Sequence, residues 1–285
     1  MRVPCHARGM RSASPSVELP YTEIAPPADL ARYVDRLWLR TTVRREAGRI
    51  HRVLPDGCVD VIVHADRGSA ELVGTMTRAL EVADGPAQMV AVRFKPGTAA
   101  AVARCSLSEL TDREADVDEL GIAGGLVDRI CDPQAHAAAT RLSAKIPLAA
   151  ADHARIAALV AWLREQLAGA PPPDPQVARA VALLSSGEAR VDEVAGMLGV
   201  TRQHLARSFR REVGITPKQL ARIARMQRVA AALRRGGDLA RLAAELGYFD
   251  QSHLSHELRD LVGLTPAALA AERPIALSHL FGSLR

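Results

Sequence analysis

The 285-residue sequence is short of the features that mark secreted, membrane and most enzyme classes. Its four cysteines, Cys5, Cys58, Cys105 and Cys131, stand far apart with no CxxC pair. That dispersal excludes a disulfide framework or a zinc knuckle and predicts reduced thiols in a cytoplasm. No uncharged run exceeds eleven residues, too short to span a bilayer. Residues 1–16 lack the apolar stretch of a secretory signal. Nucleophile elbows of the G-x-S-x-G kind, Walker loops, GxGxxG fingerprints and HExxH helices are all missing, so neither catalysis nor a cofactor is expected. Lysine is nearly absent, 3 residues against 34 arginines, a bias that genome composition or selection for phosphate-binding guanidinium forks produces equally well.

What is present is a segment written twice. The stretch VDEVAGMLG-VTRQHLARSFRREVGITPKQL at 191–220 returns as LARLAAELG-YFDQSHLSHELRDLVGLTPAAL at 239–269, with one extra residue in the second turn. Ala195, Leu198, Gly199, His204, Leu205, Arg210, Val213, Gly214, Thr216, Pro217 and Leu220 recur as Ala243, Leu246, Gly247, His253, Leu254, Arg259, Val262, Gly263, Thr265, Pro266 and Leu269. Each copy reads as helix, tight turn, helix, stop. Val194, Ala195 and Leu198 form an apolar face at helical spacing, and Leu205, Phe209 and Val213 resume it at i, i+4, i+8. Gly214 and Gly263 stand where a left-handed cap is wanted, and Thr-Pro then restarts a helix. A short helix, a glycine turn and a second helix with one free edge make the helix-turn-helix arrangement, whose second helix enters the major groove.

Charge agrees with that reading. Between 202 and 235 there are ten basic residues against one acid, Glu212. Residues 176–285 carry a net charge of +6, and residues 1–175 a net −1. A polyanion would therefore bind the repeat half.

With the patterns HLxRxFRxxxGxTPxxL and LGYxDxSHLxxxLRxxxGxTPxxL on either side of a long joining helix, residues 175–272 resemble the DNA-binding domain of AraC-type (AraC/XylS) bacterial transcription regulators. Leu258 replaces an aromatic usual in that family, and His256 replaces a common Arg or Lys. The resemblance implies base reading by Arg202, Gln203, Ala206 and Arg207 in the first unit and by Gln251, Ser252, Ser255 and His256 in the second. Arg can pair bidentately with guanine and Gln with adenine. Thr201, Arg210, Arg211 and Arg259 are candidates for phosphate contact, which positions rather than specifies. His204 and His253, each beside a core leucine, suit packing or phosphate contact better than base readout. Double-stranded DNA is the implied partner; RNA polymerase, a small-molecule effector and a second copy of the chain are further candidates.

The first half reads differently. Residues 1–18 are polar and aperiodic, with the composition of a disordered segment. Strands are expected around Leu37-Trp38-Leu39, at 58–63 after the Pro55-Asp56-Gly57 turn, loosely from Glu71 to Val82, and at 89–94 before Pro96-Gly97. Helices are expected over 98–104, 117–131, 134–144 and 152–168. The fold class is therefore an α+β domain, a small antiparallel sheet or barrel plus helices at 19–169, followed by an all-α domain of two helix-turn-helix units at 176–285. Ala170 to Pro175 is a stiff proline-rich linker. Residues 1–169 are expected to fold alone without binding DNA. YTEIAPPADLARYVDRLW, HRVLPDGCVDVIV and VAVRFKPGTAA, within 20–145, also resemble an uncharacterised domain often fused to AraC-type repeats, which implies effector sensing or dimerisation. Trp38, Asp60 and Arg93 can line an effector pocket or form an internal salt bridge. His51, Cys58 and His64 do not make a metal site, because Cys58 and His64 would lie about 20 Å apart along a strand. A DNA-repair alkyl acceptor carrying such repeats needs clustered cysteines, and a module that has lost DNA binding predicts a neutral recognition helix; neither matches.

Overall fold

In a computed structural model, which describes residues 21–42, 50–83, 87–132, 148–187 and 189–272, strands give way to helices as the sequence pattern changes. The expected disorder at 1–18 and the expected helix at 134–144 lie outside the described residues. A six-stranded antiparallel sheet has the order β1 (Thr22–Ile24), β2 (Val34–Thr42), β7 (Ala87–Phe94), β4 (Val59–His64), β5 (Ser69–Val73), β8 (Glu114–Asp116). A separate pair joins β3 (Ile50–Val53) to β6 (Leu80–Ala83). The loose alternation from 71 to 82 is therefore two strands in two sheets.

Alternation sorts the large sheet into two faces. Leu37, Leu39, Val59, Val61, Val63, Val90, Val92 and Phe94 point into one core with α2 (Leu126–Cys131) and α3 (Ala150–Gln166). Trp162 of α3 is fully buried there, and its indole N–H donates to the carbonyls of Ile122 (3.2 Å) and Ala123 (3.1 Å). The opposite sheet face carries Trp38, Asp60 and Arg93. The helix expected over 117–131 exists only as α2. Gly121, Gly124 and Gly125 have φ of +64°, +49° and +69°, so the chain turns before the helix starts. Likewise, the helix expected at 98–104 is the single turn α1 (Ala100–Ala103), stopped by Arg104 at φ +55°.

The proline stretch is anchored rather than free. Tyr33 donates its hydroxyl to the carbonyl of Pro171 at 3.1 Å, and Asp174 caps α4 (Pro175–Ser186) by accepting from the amides of Gln176 and Val177. Beyond it lie α5 (Val191–Met197), α6 (Arg202–Glu212), the 18-residue α7 (Pro217–Arg234), α8 (Leu239–Glu245), α9 (Gln251–Val262) and α10 (Pro266–Ala271). Two hydrophobic clusters fill this half, one under α4, α5 and α6, the other under α8, α9 and α10, with α7 serving both. Leu54, between β3 and β4, belongs to the second of these clusters, so the core of the helical half includes a residue from the sheet half.

The two sequence-predicted turns of the first half rest on the second. A Cβ at Gly57 (φ +78°) would come within 2.7 Å of Leu220 Cδ1, and one at Gly97 (φ +85°) within 2.9 Å of Val177 Cγ1. Glycine is needed at both places twice over, for the left-handed backbone and for the close approach. Among the described residues, no helix is long and apolar enough to cross a membrane.

Candidate nucleic-acid interface

Both copies of the repeat build the same unit. In the first, Val194 and Ala195 of α5 and Leu205, Phe209 and Val213 of the α6 segment are buried together. Gly199 turns at φ +65°, Val200 donates its amide to Ala195 O (3.0 Å), and Thr201 caps α6 by accepting from the His204 amide. In the second, Gly247 turns at φ +71°, Tyr248 donates to Ala243 O (2.9 Å), and Asp250 caps α9 by accepting from the His253 amide at 2.7 Å. Val200 and Tyr248 are thus equivalent, and the extra residue of the second turn is Phe249, a phenyl ring left 92% exposed.

The amphipathic pattern puts every expected base reader on the outer surface. Arg202, Gln203 and Arg207 are exposed and Ala206 is half-exposed at the N-terminal end of α6; Gln251, Ser252 and His256 are exposed and Ser255 half-exposed on α9. Arg202 reaches back to Asp192 of α5 (3.0 and 3.2 Å), and Ser255 Oγ donates to Gln251 O (2.9 Å). Thr201, Arg210, Arg211 and Arg259 are exposed too, with Arg211 donating to Glu212 at 2.7 Å. His253 packs edge-on against Tyr248, centroids 5.4 Å apart, whereas His204 is simply exposed.

Residues 194–272 match the family described as a helix-turn-helix domain. Residues 194–272 are an AraC-type DNA-binding domain. It makes this chain a DNA-binding transcription regulator of that type. Ahead of the AraC-type domain, residues 22–116 match the domain of unknown function DUF6597. Among solved structures, the chain is similar to the C-terminal domain of AraT, a response regulator from Geobacillus stearothermophilus. Identity is 26%, over 36% of this chain and 89% of that one, with a TM-score of 0.33. It is also similar to an apo variant of ToxT from Vibrio cholerae, at 11% identity over 83% and 96% of the two chains, with a TM-score of 0.40. ToxT with an unsaturated fatty acid bound matches at 12% identity over 88% and 93%, with a TM-score of 0.35. No curated protein matches the chain.

Beneath the second recognition helix of the AraC-type domain lies a polar cluster that sequence reasoning missed. Glu257, on the buried side of α9 and only 5% exposed, accepts from Arg222 Nε (2.9 Å) and Arg225 Nη2 (3.0 Å) of α7 and from the Tyr248 hydroxyl (3.0 Å). Arg225 also lies 4.7 Å from the Tyr248 ring centroid. Burial first, then the Glu257 charge, push the Tyr248 phenol above its ordinary range, so it remains a donor. The only sequence signal was an acid at a position where the helical period calls for an apolar residue.

The three effector-pocket candidates do come together. Arg93 pairs with Asp60 through two contacts of 3.2 Å and with Asp56 at 3.5 Å, while Trp38 tilts against Tyr21 with centroids 5.5 Å apart. Burial raises the Asp60 carboxyl, and the Arg93 charge pulls it back. The guanidinium is occupied internally, which is the salt-bridge alternative. A cleft of 780 Å³ lies elsewhere, between Tyr33, Thr98, Arg104, Pro171 to Asp174 and Arg211.

Proposed function

We propose that the chain reads a specific DNA site with both recognition helices, Arg202, Gln203, Ala206 and Arg207 facing one groove segment and Gln251, Ser252, Ser255 and His256 the next. Thr201, Arg210, Arg211 and Arg259 hold phosphates on either side. The observation that carries this reading is the repeated one: in both copies the N-terminal outer edge of the second helix is polar and exposed, while its inner edge is buried. Phe249 adds an apolar surface at the second turn, suited to a thymine methyl or a sugar. Residues 19–169 act as an effector-sensing or dimerisation domain and residues 176–285 as the DNA-binding domain, in a cytoplasmic regulator without catalysis. The cleft beside Arg104 and Arg211 offers the space for an effector, and RNA polymerase is a partner once the chain is on DNA.

Titrations of two variants separate reading from holding. Arg207→Ala should cost about 1–3 kcal/mol on the preferred duplex and blur preference at one base position. Arg210→Ala, at a position repeated as Arg259, should weaken all sequences alike and reduce the slope of log affinity against log salt by about 0.9, since one fewer phosphate is neutralised. A uniform loss for Arg207→Ala with a changed base preference for Arg210→Ala would mean that the roles of these two arginines are assigned the wrong way round.

A further inference from the structure

The sheet half of the molecule grips both recognition helices at the same place, the carbonyls left over where each helix ends. In the first unit, Thr75 Oγ1 donates to Val213 O (2.5 Å) and Thr111 Oγ1 to Gly214 O (2.6 Å). In the second, Ala79 donates its amide to Leu261 O (2.7 Å) and Arg52 donates Nη1 to Val262 O (3.1 Å). Val213 and Val262 are equivalent positions of the duplicated segment. Such carbonyls have no partner within their own helix, and here each set is satisfied by the other half of the chain.

Two of the donors share a strut. Thr75 and Ala79 are four residues apart, no more than about 14 Å of extended chain, so one short segment touches both units. It is also pinned. Asp112, at φ +55°, accepts from the amide (2.6 Å) and the hydroxyl (2.5 Å) of Thr77, and its own amide donates to Thr75 O. A Cβ at Gly74 would stand 1.8 Å from Leu110 O, and one at Gly214 3.0 Å from Leu107 O, so neither end of the contact has room to slide. At the far end Arg52 is held by Glu81 (2.7 Å) and Glu272 (3.0 Å). All four bonds lie at helix C-termini, away from the N-terminal edges proposed to read bases.

We propose that the N-terminal half is a brace: by capping both recognition helices at their C-terminal carbonyls, it fixes their separation and so sets the spacing of the two DNA segments the chain accepts. This rests on the reading that both helices enter DNA. Thr75 and Thr111 are positioning residues in this account, since neither touches DNA. Thr75→Val combined with Thr111→Val removes the two caps of the first unit with little change of shape. Thr111→Val alone, at a half-buried position, is the variant safer for folding.

The test uses the full chain and a duplex it selects from a random pool, with one or two base pairs added or removed between the protected segments. The parent should lose affinity by about tenfold or more for each change of spacing. The double variant should keep near-parental affinity at the original spacing and lose less than about threefold at the altered ones, with Thr111→Val between them. A uniform loss at every spacing, or an unchanged spacing profile, overturns the brace. A second measurement needs no DNA: spin labels at Gln203→Cys and Ser252→Cys, with Cys5, Cys105 and Cys131 changed to Ser. They should give one narrow distance, broadened in the double variant; an equally narrow distance there rules the brace out. If no duplex is enriched, the DNA reading fails, and the label distances still decide the brace.

Discussion

Phe209→Ala should cost about 3–5 kcal/mol of folding stability, the range for deleting a phenyl ring from a packed core. The ring is fully buried in the cluster that joins α4, α5 and α6, and its position is the inner edge of the first recognition helix. Val194, Leu205, Val213 and Ile223 of the same cluster are fixed on three helices, so the void cannot close without moving α6 off α5. Loss of DNA affinity should accompany the loss of stability, although the side chain never reaches the surface. Phe209→Leu, which keeps most of the volume, should cost less than about 1.5 kcal/mol. Urea unfolding of the two variants checks this, and a cost below about 1 kcal/mol for Phe209→Ala would mean that the core under α6 is not packed as described.

Glu257→Ala should be the second most damaging single change, at about 2–4 kcal/mol, because it strands the Arg225 guanidinium and leaves Arg222 only its longer pair with Asp260 (3.5 Å). Breaking a fully buried pair costs about 3–5 kcal/mol. The discount reflects Arg222 and Arg225, whose side chains keep 31% and 26% exposure and can recover part of their hydration. Glu257→Gln preserves an acceptor for the Tyr248 hydroxyl and should recover part of the loss. Since the cluster ties α9 to α7, DNA preference at the positions read by the second unit should degrade before those read by the first. Equal stability of Glu257→Ala and the parent would show that the cluster is surface decoration.

The helical half was legible because its information is local and written twice. The period of Leu205, Phe209 and Val213, the glycines after each second helix and the Thr-Pro restarts all act within a few residues, and each occurs where the pattern placed it. The Glu257 cluster was not legible, since it joins α7 to α9 across 32–35 residues and shows only once the two helices pack. The sheet half was read in outline for the opposite reason: alternation marks a strand but not its partner, so residues 71–82 looked continuous while belonging to two sheets. Over 117–131 an apolar helical period outvoted three glycines that the backbone needed for turns. Thr75, Thr111 and Ala79 carried no signal, because a hydroxyl or amide that caps a helix in another half of the chain looks like any loop residue.

Two helices reading one duplex are the centre of the proposed function, and hydroxyl-radical footprinting of the full chain on DNA it selects from a random pool tests that most directly. With α7 rising about 27 Å over its 18 residues, the two units can occupy major-groove segments about 34 Å apart. The predicted result is two protected segments on one face of the duplex, one helical turn apart, each carrying its own base preference. A single protected segment, or a pool that shows no enrichment, would contradict it.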